Sequence, residues 1–140
     1  MIDEIRSYFK GVIQEVDPDL SQHQEYFTSV NIADSQLEDT YFLQMGAISS
    51  SRENTDINGE VTVTLEIFKN GYTDVIDKLD NAYCKALEIQ AKLMDQNRVD
   101  QLDFIKQVIG DSITPEAVDS NDNLAKFVLS FTVTTKYKAF

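Results

Sequence analysis

The chain has 140 residues, 42% of them hydrophobic, with 24 acids against 12 bases and a formal net charge of −12. That length suits one domain burying roughly two-thirds of its unfolded surface, and the apolar fraction excludes wholesale disorder. The charge excludes a protein that coats duplex DNA, because affinity there comes from neutralising phosphates with Lys and Arg.

The acidity is uneven. Residues 1–60 carry twelve acids and three bases, a net of −9, whereas residues 61–140 carry twelve acids and nine bases, a net of −3. The plain reading is a soluble surface; the sharper one is a surface past which nucleic acid slides without sticking. The opening MIDEIRSYFK is acidic where a secretory signal is basic, and no apolar h-region follows, which predicts a soluble chain made in the cytosol. No stretch approaches the ~18 uninterrupted apolar residues of a membrane span. Cys84 is the only cysteine and His23 the only histidine, so neither an internal disulfide nor a His-rich metal site can form within one chain.

In chain order, Ile2, Ile5, Phe9, Val12, Ile13 and Val16 recur at helical spacing and predict an amphipathic helix over Ile2–Val16. Pro18 in the DPD at Asp17–Asp19 stops it. Residues 20–39 are polar, with Phe27, Val30 and Ile32 suggesting a short extended piece. TYFLQMGAISS (Thr40–Ser50) alternates with apolar residues on both faces and predicts a strand covered to some extent on both sides. The polar SSRENTDING reads as a long loop whose Asn58-Gly59 turns the chain into a second strand, with Val61, Val63, Leu65 and Ile67 on one face.

Asn70-Gly71 ends that strand, and Thr73 or Asp74 can cap a long helix over Thr73–Met94. DQNRVDQ reads as a connector to a short strand around Phe104–Ile109, and Gly110, Pro115 and DSNDN (Asp119–Asn123) as a loop. The last strand alternates Phe127, Leu129, Phe131, Val133 and Thr135 against Val128, Ser130, Thr132 and Thr134. The order αββαββ predicts a single α+β domain over residues 1–140, an antiparallel sheet packed against a long central helix and an N-terminal helix.

Chemistry is offered and mostly withdrawn. Asn54–Gly59 (NTDING) spaces oxygen ligands like an EF-hand loop, but Leu65 stands where the closing bidentate Glu belongs. DSNDN lacks both the Gly and the closing carboxylate. Cys84 falls on the polar side of the long helix, away from the N-terminal dipole that lowers a thiol pKa. His23 sits in polar SQHQE. Carboxylate pairs such as Asp17/Asp19, Glu38/Asp39 and Asp77/Asp80 lie in no apolar or Gly-rich setting that marks a tuned acid or base. The expectation is no catalysis, no metal and no cofactor.

The long helix is more informative. At 100° per residue, Val75, Leu79, Ala82, Ala86, Ile89 and Leu93 form one heptad-like seam, and Ile76, Tyr83, Leu87 and Met94 extend it into an apolar arc about 160° wide. Gln90 falls inside the arc. Either the whole arc presses on the chain's own sheet, or the edge bearing Ile76, Tyr83, Leu87 and Met94 meets a neighbouring subunit. The second reading predicts that Leu79→Asp unfolds the domain while Leu87→Asp leaves folded, assembly-defective monomers.

The element order resembles the bacteriophage tail terminator family, lambda-type tube-capping proteins. The segments that carry the likeness are the leading helix IRSYFKGVI, the strand YFLQMGAISS, the unit VTVTLEIFKNGYTDVIDKLDNAYCKALEI and the closing FVLSFTVTTKYK. The resemblance spans nearly the whole chain and rests on element order and texture; Leu20–Asp39 departs from it. It implies a structural virion protein that assembles in the host cytoplasm into a homo-oligomeric, hexameric ring on the viral tail. Such a ring ends polymerisation of the major tail tube protein and offers a head connector or completion protein its joining surface. DNA would pass through the lumen without specific binding, and no membrane, catalysis or cofactor is implied. Arg52, Glu53, Asn54 and Asp56 would then form a loop facing tube or connector. The alternative is a small cytosolic α+β ligand-binding or regulatory module using the sheet as its pocket.

Overall fold

The computed structural model describes residues 2–22, 39–53, 56–70, 76–117 and 124–138. The elements are α1 (Ile2–Val16), β1 (Ser21–Gln22), β2 (Thr40–Glu53), β3 (Asp56–Asn70), α2 (Ile76–Leu93), α3 (Gln96–Val99), β4 (Ile105–Ala117) and β5 (Leu124–Lys138). The strands form one five-stranded sheet in the order β1-β2-β3-β5-β4. All neighbours are antiparallel except β1, which runs parallel to β2. The α+β order is as predicted, and β1 and α3 are additions to it.

Cross-strand partners share a face, so the register sorts the side chains. Val61 faces Val133, Val63 faces Phe131, Leu65 faces Leu129 and Ile67 faces Phe127; Leu43 and Tyr41 continue those rows onto β2. All are buried, together with Ile5, Phe9, Val12 and Ile13 of α1 and Ala82, Ala86, Ile89 and Leu93 of α2. Both helices therefore cover one sheet face; Phe9 meets Phe131 edge-on with centroids 5.2 Å apart. Burying each such aromatic or branched side chain stabilises the fold by roughly 1.5–3 kcal/mol. The opposite face carries rows of short hydroxyls, Thr62 beside Thr132 and Thr64 beside Ser130. At one end of that face Phe42 and Phe68 are buried in an edge-on pair.

Three boundaries differ from expectation. Asn58-Gly59 is not a turn: β3 begins at Asp56, and Gly59 pairs with Ser50 and Thr135 inside the sheet. Glycine is needed there for close approach, since a Cβ would lie 2.8 Å from Thr135 Oγ1. β4 runs through Gly110 and Pro115 to Ala117 instead of ending at Ile109. An edge strand tolerates proline and bulges, and β4 has register shifts at Ile105/Gln107 and Gly110/Ser112. Within DQNRVDQ, Asp95 caps a one-turn helix by accepting from the Asn97 N–H at 3.0 Å. The expected extended piece at Phe27, Val30 and Ile32, the caps Thr73 and Asp74, and DSNDN lie outside the described residues.

Candidate assembly surfaces

The chain order across the sheet sets the position of α2. It leaves β3 and delivers the chain to β4 at the far edge, with β5 between them. The flanks of α2 consequently have different neighbours. On one side lies α1: Tyr8 donates its hydroxyl to the carbonyls of Leu93 (2.8 Å) and Lys92 (3.2 Å), and Lys92 Nζ lies 3.1 Å from Glu15. Arg98 of α3 clasps the same carboxylate with two N–H groups, at 2.9 and 2.8 Å. On the other side lies β4, where Gln90 fills the space above Gly110; a Cβ there would fall 2.6 Å from Gln90 Nε2.

Leu87 and Met94, three residues before and four after Gln90, stand on this β4-side flank and are 46% and 40% exposed. Met94 stays on the helical path, its N–H bonded to the Gln90 carbonyl at 3.1 Å. Cys84 and Ala91 are exposed farther round the same flank. Tyr83 sits at the boundary, partly buried and stacked edge-on against Phe127 with centroids 5.5 Å apart. Ile76 opens α2, with its side chain outside those described, as are the side chain of Leu79 and all of Val75. The predicted arc is thus divided: Ala82, Ala86, Ile89 and Leu93 are buried, whereas Leu87 and Met94 face outward.

The predicted loop residues sit at a strand end. Arg52 pairs with Ile57 and Glu53 with Asp56 across β2 and β3, and Asp56 pairs with Lys138 of β5; Asn54 lies outside the described residues. These three strands continue past Gly59 and Thr135. Glu4 marks that level by binding the amides of Phe104 (2.8 Å), Asp103 and Ile105 (3.2 Å each), and Ile105 pairs with Thr135. Three further residue pairs, at ~3.3 Å each, extend the sheet about 10 Å beyond the first turn of α1.

The electrostatics fasten α2 to α1. The Arg98 hydrogen bonds first, then those of Lys92, hold the Glu15 carboxyl down at about 2. Desolvation pushes the Tyr8 hydroxyl up to about 12. Asp17, just past α1, is 1% exposed and receives Lys69 Nζ at 2.9 Å and Lys85 Nζ at 3.8 Å, joining α1 to β3 and α2.

Two features escaped the sequence reading. Ile48, on β2 opposite buried Val61, is 56% exposed on a strand expected to be covered to some extent on both sides. Asp17, read as one of an Asp17/Asp19 pair in no apolar setting, is a buried ion-pair centre. The nearest signal for Asp17 was its place directly after an apolar helix, which does not tell burial from exposure. Cys84 is exposed and His23 lies outside the described residues. Among the described residues there is no cluster of three or more potential metal ligands and no helix long and apolar enough to cross a membrane.

No family model and no curated protein matches the chain. A chain in a solved structure, "Virion of native gene transfer agent (GTA) particle", aligns over 97% of this chain and 91% of that one, with a TM-score of 0.46 and 6% identity.

Proposed function

We propose that this chain is a structural protein of a phage-like virion, a tail terminator whose ring caps the tube, ends its polymerisation and offers the head side a joining surface. One observation carries the reading: α2 buries one side in its own core and turns Leu87 and Met94 outward beside an edge strand. A helix with a second apolar flank is suited to packing against another subunit. The αββαββ order that resembles tail terminators supports the same reading. Arg52, Glu53 and Asp56, at the projecting end of β2 and β3, are proposed to face tube or connector, together with Asn54 between those strands.

The test is mass by light scattering at several concentrations, followed by addition to purified tail tubes. Six chains of 15.9 kDa make a ring of about 95 kDa (6 × 15.9), and capped tubes should stop lengthening when tube protein is added. A strict monomer that leaves tube growth unchanged sinks the reading.

A further inference from the structure

We infer that copies join head to tail, the β2 edge around Ile48 of one docking on the Leu87–Met94 flank of the next. This rests on the ring reading above. A closed ring built by one rotation needs two different surfaces on each copy, and the α2 flank supplies only one.

The second surface follows from the sheet order. The α2 flank overhangs β4 at one edge, and β2 borders the opposite edge, where β1 pairs only with Thr40 and Tyr41 among the described residues. Ile48 is on the helix side of β2, because it pairs with buried Val61, and it is the most exposed large hydrophobic side chain described. The two outward apolar sets therefore lie at opposite edges of one layer, as a head-to-tail contact requires.

Charge permits the same pairing. Exposed Asp80, Glu88 and Asp95 rim the α2 flank, Glu88 lying 3.5 Å from Lys92 and Asp95 3.8 Å from Arg98, and copies of net charge −12 repel one another. Thr40–Ser51 is the longest run of the chain without a charged residue. Its edge can approach that acidic rim without like-charge repulsion. β4 is poorly suited to extending the sheet into the neighbour: Lys106, Asp111, Pro115, Glu116 and its two register shifts protect it as natural edges are protected. The contact is accordingly side-chain docking on α2, with no shared strand pairing.

Complementation tests it. Leu87→Asp disables one surface and Ile48→Asp the other; each variant alone should run as a 15.9 kDa monomer in native mass spectrometry. Mixed, they retain one working interface and should give a 1:1 heterodimer of about 32 kDa (2 × 15.9) and nothing larger. Met94→Glu and Ile48→Glu form a second pair of the same design, and circular dichroism establishes that each variant is folded. Either single variant dimerising alone, or a mixture that stays monomeric while wild type forms rings, overturns the head-to-tail assignment and leaves the ring reading standing. A wild type that is monomeric and also leaves tube growth unchanged overturns both.

Discussion

Asp17→Asn keeps the shape of the side chain and removes its charge from a site that is 1% exposed. Lys69, whose side chain is 13% exposed, then loses its 2.9 Å partner but keeps Asp39 at 3.4 Å; Lys85, at 34%, loses a 3.8 Å contact and turns to water. Removing one member of a fully buried pair costs about 3–5 kcal/mol, and partial exposure of both lysines brings the expected loss to about 2 kcal/mol. At ~2.1 cal/mol/K of unfolding entropy per residue, a chain of this length has about 0.3 kcal/mol/K, so Tm should fall by about 7 °C. The assay is thermal unfolding by circular dichroism at fixed protein concentration, because assembly would shift Tm by mass action. A double-mutant cycle with Lys69→Met should return a coupling of about 1 kcal/mol or more. A loss below about 0.5 kcal/mol, or additive single effects, would refute the claim that this ion pair ties α1 to β3.

Glu15 titrates at about 2 in the folded chain against an ordinary 4.5. A depressed carboxyl pKa adds stability that is present above 4.5 and lost as pH falls toward 2. Glu15→Gln should therefore flatten the Tm-against-pH curve across that window, and an unchanged acid limb argues against the Arg98 clasp. The hydroxyl of Tyr8, raised to about 12 by desolvation, works in the opposite direction: its contribution is complete below pH 10 and disappears as pH rises toward 12. Tyr8→Phe should cost about 1 kcal/mol at neutral pH and remove one late-titrating phenol from the ultraviolet titration. Tyr41, also raised by burial, should remain as another. Gly59→Ala puts a methyl 2.8 Å from Thr135 Oγ1 and 3.3 Å from the Ser49 carbonyl, so it should destabilise by about 1–3 kcal/mol in urea unfolding. Adding Thr135→Ala should recover part of that loss, and no recovery would place the strain elsewhere.

α1, β5 and the buried side of α2 were legible because each repeats one period long enough to bury one face. The polar stretch Ser50–Gly59 was misread for a physical reason. There β2, β3 and β5 run beyond the first turn of α1, so their pairing owes little to an apolar face, and polarity together with Asn-Gly mimics a loop. Gly110 and Pro115 punctuate β4 without ending it, because an edge strand makes its ladder on one side only. β1 has two residues and exists only through its pairing with β2, a relation that local sequence does not carry.

The candidate surface shows the same division between local and long-range information. The helix wheel put Tyr83, Leu87 and Met94 together at one edge of an arc, but which edge is covered depends on the side occupied by α1. The bonds of Tyr8 and Glu15 to Lys92, and of Asp17 to Lys85, put α1 against the flank opposite Leu87. That choice follows from topology. Because β5 is inserted between β3 and β4, α2 has to travel to the outer edge of the sheet to deliver β4. It thereby becomes the outermost described helix of the layer, with Leu87 and Met94 left 46% and 40% exposed. The proposed interface between copies rests on these two partly exposed side chains and on the uncharged Thr40–Ser51 stretch of β2 at the opposite edge.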